Sequence, residues 1–188
     1  MVPGRRGYQG GYRGSAWDSN LPGGMGFDID DLRRRGFGGF VPLARLGRPE
    51  PQELPTASGV YVVLRARDGA PKFLERSGGG WWKRQDPTVP VERLEREWVD
   101  GTPTLYIGKA MSLRERIGEL LRFSDGDAKA RHWGGRLLWQ IEAPRELVLG
   151  WREEPDYAGV ETGLLNEFIA EFGRLPFANL KRGDRRRT

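Results

Sequence analysis

Ser58-Gly59-Val60-Tyr61-Val62-Val63-Leu64-Arg65-Ala66 and, further along, Thr104-Leu105-Tyr106-Ile107-Gly108-Lys109-Ala110 decide how this chain folds. Both are β-branched and aromatic runs, the first bounded by Asp68-Gly69, and both read as buried strands. Directly after the second, Leu113, Ile117, Leu120 and Leu121 fall on one helical face, with Ser112 placed as its N-cap. Leu137-Leu138-Trp139-Gln140-Ile141 and Glu146 to Trp151 read as further strands joined across Ala143-Pro144-Arg145. Val160 to Phe172 reads as an amphipathic helix stopped at Gly173. The expected fold class is α/β of the α+β kind: a small, mostly antiparallel sheet of three to four strands flanked by helices.

Outside these elements the chain changes character. Residues 1–40 alternate Gly, Arg and Tyr, as in Gly4-Arg5-Arg6-Gly7-Tyr8, and are expected to be a disordered arm. Within that arm, Phe27-Asp28-Ile29-Asp30-Asp31-Leu32 followed by Arg33-Arg34-Arg35 is either a solvated turn or a short helix, since acids precede bases. Residues 41–57, with Pro49 to Pro55, are expected to be a linker, 58–181 the folded domain, and 182–188 a basic tail. Between the two leading strands, residues of about 70–101 form an insertion: Gly78-Gly79-Gly80 beside Trp81-Trp82-Lys83-Arg84 predicts a hairpin, and Val91, Leu94 and Trp98 predict a short helix.

Composition narrows the chemistry. The 188 residues are 30% charged with a net charge of +5, which favours a polyanionic partner. There is no cysteine and one histidine, so disulfides and Cys- or multi-His metal centres are excluded and any metal must be held by oxygen. No apolar run approaches the roughly 18 residues of a membrane span, so no membrane partner and a cytoplasmic location are the expectation.

The last helix holds the anomaly that points to a site. At about 100° per residue, Leu164, Leu165, Phe168, Ile169 and Phe172 cluster around the direction of Glu161, which therefore begins the apolar face. A carboxylate there is costly unless paired or bound to a cation. Either an ion pair with an arginine or a functional carboxylate satisfies that requirement.

Gly59-Val60-Tyr61, Tyr106-Ile107-Gly108-Lys109-Ala110, a downstream arginine and a helical glutamate together resemble the GIY-YIG nuclease family. That family includes the nuclease domain of the bacterial excision-repair incision subunit, phage homing endonucleases and some restriction enzymes. The resemblance spans about residues 58–181 and implies a metal-dependent endonuclease acting on nucleic acid, DNA in preference to RNA. It implies that Arg116, ten residues after Tyr106, is the catalytic arginine, with Arg114 as competitor on the same helix. It implies that Glu161 holds one Mg²⁺ or Mn²⁺, and that Asn179 braces the site, as Gly59 and Gly108 do.

Those residue types suit phosphodiester hydrolysis, in which water needs a base and the transition state gathers negative charge. One carboxylate can hold a Mg²⁺ that keeps its waters. Arg116 would grip the phosphate with its planar fork, and Tyr61 or Tyr106, helped by Lys109, would orient or deprotonate water. Arg114, His132 and Arg136 are further candidates for substrate contact, although the stretch around His132 and Trp133 reads first as a turn leading into the next strand, with Trp133 packing. Trp81, Trp82, Lys83 and Arg84 suit base stacking or rim packing alike. The separation of the two tripeptides by residues 62–105 exceeds the family's usual short hairpin, and an extra helical turn lies between Glu161 and Asn179. The alternative function is a non-catalytic nucleic-acid-binding or adaptor module on the same fold. The oligomeric state is left open.

Overall fold

A computed structural model describes residues 26–47, 50–67, 69–127 and 132–180. The arm before residue 26, Pro49, Asp68, Arg131 and the basic tail lie outside the described residues.

Strand β2 (Gly59–Leu64) is buried along its whole length, as its unbroken apolar run requires of a central strand. It pairs antiparallel with β3 (Thr104–Ala110), setting Tyr61 opposite Gly108 and Val63 opposite Tyr106. On its other side runs β4 (Val148–Glu153), also antiparallel, with Tyr61 opposite Trp151. Strand β1 (Gly38–Pro42) closes the order β1-β4-β2-β3. The fold is therefore α+β with a four-stranded antiparallel sheet, as expected.

Alternation along β2 divides the core. Tyr61 and Val63 face α3 (Leu113–Ser124) through Leu113, Ile117 and Leu121. Val60, Val62 and Leu64 face α1 (Ile29–Arg34) and α4 (Tyr157–Phe172) through Leu32, Leu165 and Phe168. Among the described residues no helix is long and apolar enough to cross a membrane.

Three expectations are corrected. Residues 26–40 are not part of a disordered arm: the Asp28 side chain accepts from Asp31 N at 2.7 Å to cap α1, and Phe27, Leu32 and Phe37 sink into the core. The phenyl ring of Phe27 meets Phe168 edge-on at 5.0 Å, and its carbonyl accepts from Thr104 Oγ1 at 2.6 Å. The expected linker 41–57 is also packed, through Leu43, Leu46 and Leu54. Finally, Trp133–Gln140 is a kinked 3-10 segment, not a strand. Its apolar residues are buried all round, and periodicity cannot distinguish such a run from a strand. Gln140 ties it to the insertion, accepting from Val89 N at 3.0 Å and donating to Leu74 O and Val89 O at 2.9 and 2.7 Å. The insertion itself contains the expected hairpin turn, with Trp82 bridged to Gln85, and the expected helix α2 (Val91–Glu97).

Candidate functional site

Because β3 lies at the sheet edge, side chains from both of its faces can reach one rim. Tyr106 comes from the α3 face and Lys109 from the α4 face, and with Arg116 and Glu161 they line an open cleft of about 390 Å³. Ala110, Met111 and Tyr157 complete its wall. Four of the expected residues, Tyr106, Lys109, Arg116 and Glu161, are thus brought together from three elements.

Each is held by local structure that its sequence dictates. Helix α3 starts immediately after β3, with Ser112 Oγ accepting from Glu115 N at 3.4 Å, so Arg116 falls in its first turns and points back to the strand. Its guanidinium is fixed by Glu119 Oε2 at 2.7 Å, an i,i+3 pair. On α4, Glu161 begins the apolar face as expected and is only 8% exposed. Its Oε2 has Lys109 Nζ at 2.9 Å.

The glycines are required by close approach. A Cβ on Gly108 would lie 2.5 Å from Tyr61 Cζ and 2.7 Å from Tyr106 Cε1, and one on Gly59 would lie 2.3 Å from Arg152 O. Asn179 braces the rim: its Oδ1 accepts from Ile107 N at 2.9 Å and its Nδ2 donates to Ile107 O at 2.8 Å. With Ala178 N donating to Leu105 O, this satisfies the outward backbone of β3 on the N-terminal side of Lys109.

Behind the cleft lies a closed polar cluster. Tyr61 has no exposed surface and does not line the cleft, whereas Tyr106 does. The Tyr61 hydroxyl is 2.9 Å from His132 Nε2, and the two tyrosine rings are 5.8 Å apart. Burial raises both phenols, Tyr61 most, with Arg116 opposing the shift. For Arg116, burial works against the charge, but the two tyrosines and Glu119 outweigh it and hold the guanidinium above its ordinary value. Burial, then the charge of Arg116, pushes His132 well below the usual imidazole range, so it is neutral.

Three expected substrate contacts lie elsewhere. His132 is completely buried, which closes it to substrate and leaves it holding Tyr61. Arg114 is spent on the chain before β2, donating to Leu54 O at 2.9 Å and Gln52 O at 3.1 Å. Arg136 lies over the Trp133 ring at 4.6 Å, away from the cleft lining. Sequence reasoning missed Tyr157 and Met111 on the wall. Tyr157 was within reach of it, standing one helical turn before Glu161 on the same face.

Glu161 is the one carboxylate lining the cleft, and among the described residues no group of three or more acidic, His or Cys side chains could hold a metal. The fit to a divalent ion rests on Glu161 itself. Its buried Oε2 already meets a cation, the Lys109 ammonium at 2.9 Å. A single carboxylate facing an open cleft suits one hard cation whose other positions are water. It does not suit a two-metal centre. Compared with family models, with curated proteins and with solved structures, the chain matches none of them.

Proposed function

We propose that this chain is an endonuclease of the GIY-YIG type, hydrolysing DNA phosphodiester bonds with one divalent ion at Glu161. The observation that carries this reading is the meeting of Tyr106, Lys109, Arg116 and Glu161 around one cleft.

The chemistry follows from what each group offers. Arg116, always charged and locked by Glu119, presents a planar donor fork to the scissile phosphate. Mg²⁺ or Mn²⁺ bound at Glu161 would supply positive charge to the phosphate as negative charge builds up. Lys109 answers the charge of Glu161 and adds a cation at the same wall. Tyr106 reaches the cleft, and its raised phenol starts the reaction protonated, so its oxygen orients the attacking water through a lone pair. Tyr61 and His132 act behind it: the buried bond between them fixes the ring against which Tyr106 packs, making both positioning residues.

Labelled DNA incubated with the chain is cut in Mg²⁺ or Mn²⁺ and spared in a chelator. Glu161→Gln reduces cleavage by about a hundredfold or more, the scale of losing a key electrostatic group. Cleavage by Glu161→Gln at the wild-type rate overturns the site, and binding without any metal-dependent turnover overturns the activity.

A further inference from the structure

The insertion carries a second built feature, on the far side of the loop that holds His132. Lys83 Nζ stands 4.5 Å over the Trp82 ring, Trp82 faces Trp133 at 5.9 Å and 31°, and Arg136 lies 4.6 Å over Trp133. The result is a ladder of cation, indole, indole, cation. It is anchored in the core, since Trp133 meets the buried Phe123 ring edge-on at 6.4 Å. The residue before Trp82 in the chain, Trp81, is 53% exposed, the most exposed aromatic side chain among the described residues.

The turn beneath the ladder is strained in a particular way. Trp82 and Gln85 exchange both backbone hydrogen bonds, at 3.2 and 2.9 Å, around Lys83 and Arg84, whose φ values are 52° and 64°. Such turns favour Asn-Gly, and here two long cations occupy the left-handed positions. Observed strain of this kind motivates a functional reading. Lys83, Arg84, Arg93 and Arg136 make no ion pair to a carboxylate among the described residues, and burial and then Arg93 hold the Arg136 guanidinium below its ordinary value. The exposed Asp86 beside them is turned to Thr88 and Arg76. Cations interleaved with aromatic faces, as Lys83 and Arg136 are with Trp82 and Trp133, fit a strand of unpaired nucleotides, whose bases stack and whose phosphates meet the cations.

One loop joins the ladder to the residues behind the cleft. The loop that begins at His132, bonded to Tyr61, carries Trp133 in the ladder, and a Cβ on the next residue, Gly134, would lie 3.8 Å from Tyr106 Oη. We infer that Trp81, with its chain neighbours Lys83 and Arg84 and the ladder of Trp82, Trp133 and Arg136, binds a single-stranded segment of DNA next to the scissile bond, so that the preferred substrate is DNA with unpaired nucleotides. The inference rests on the nuclease reading for the word scissile, but its binding half is tested without cleavage.

Fluorescence anisotropy of the full chain in EDTA, with labelled oligo-dT of about 16 nucleotides, a blunt duplex and oligo-rU as probes, reads binding alone. Oligo-dT binds tighter than the blunt duplex. Trp81→Ala weakens it about 5- to 150-fold, the range of one lost base stack, and Trp81→Phe restores most of the loss. Lys83→Gln with Arg84→Gln lowers the salt slope by about 1.4, two phosphate contacts' worth on a single strand. Trp81 is exposed, so its replacement leaves the fold intact. Trp81→Ala within twofold of wild type, or a blunt duplex bound as tightly as oligo-dT, overturns the inference, and oligo-rU bound tighter than oligo-dT overturns the assignment to DNA. Wild-type binding in EDTA and wild-type cleavage in Mg²⁺ are read separately: loss of the oligo-dT preference with metal-dependent cleavage retained overturns this inference alone, and the oligo-dT preference without metal-dependent cleavage overturns the nuclease reading alone.

Discussion

At Gly108 the space a methyl group would occupy is already filled by two tyrosine rings, 2.5 and 2.7 Å away. Neither ring can yield cheaply, because Tyr61 is fully buried and Tyr106 nearly so. Gly108→Ala therefore costs about 1–3 kcal/mol as an overpacked core and displaces the phenol that faces the cleft. It loses cleavage by more than its stability loss explains, which melting and initial-rate measurements on one preparation would separate. Gly163 is the control: a Cβ there meets nothing within 4 Å inside a helix, so Gly163→Ala gains up to about 1 kcal/mol and leaves cleavage unchanged. His132 supplies a second prediction at this scale. Its folded pKa lies well below 6.5, so the unfolded chain binds the extra proton as pH falls, and folding free energy declines from about pH 6.5 downward, by about 1.4 kcal/mol per unit. It is the chain's one histidine, and carboxylates titrate lower, so urea unfolding between about pH 7.5 and 5.5, roughly one unit either side of a free imidazole, isolates it. His132→Gln flattens that slope, and an unchanged slope would show that another group is responsible.

The elements divide into those that declare themselves and those that depend on distant partners. Strands β2 and β3 were legible because their apolar runs are unbroken, and α3 and α4 because their apolar stripes are long and capped by Ser112 and ended by Gly173. In α1 and β1 the signals are short and overlaid by a composition of Gly and Arg. The turn through Gly39 and Phe40, at φ 82° and 50°, breaks the strand pattern with a register shift against β4. Only the tertiary structure shows that Phe27, Leu32 and Phe37 cover the α4 face of the sheet. That dependence makes residues 26–46 obligatory. A fragment starting at residue 58 forfeits six buried side chains, Phe27, Leu32, Phe37, Leu43, Leu46 and Leu54, worth roughly 1.5–3 kcal/mol each, together comparable with the 5–15 kcal/mol typical of a whole domain. It gives no cooperative thermal transition by circular dichroism. Leu32→Ala alone costs about 2–5 kcal/mol. Cooperative melting of the 58-start fragment at the full-chain temperature would sink this account.

Across the whole molecule the decisive arrangement is that an edge strand presents both of its faces to one cleft. Glu161 was legible as a carboxylate out of place on an apolar face, because helical geometry is local. Helical geometry did not choose Arg116 over Arg114, since both flank the same stripe on α3; only the ten-residue spacing after Tyr106 favoured Arg116. The structure separates them through Arg114's bonds to Gln52 and Leu54, contacts with a segment far away in sequence. Nor could the sequence show that Tyr61 stands behind Tyr106 with His132, since that depends on a 3-10 segment where a strand was expected. One such cleft holds one carboxylate and one arginine, which in the proposed reaction is enough charge to act on a single phosphate at a time. The proposed activity on a supercoiled plasmid therefore has a defined order of products: the nicked circle accumulates first, and linear DNA follows only as independent nicks fall opposite one another. The rate of nicking rises in proportion to protein concentration while substrate is in excess. Linear DNA formed without a nicked precursor, or a rate rising as the square of protein concentration, would mean that two copies must join their clefts before either cuts.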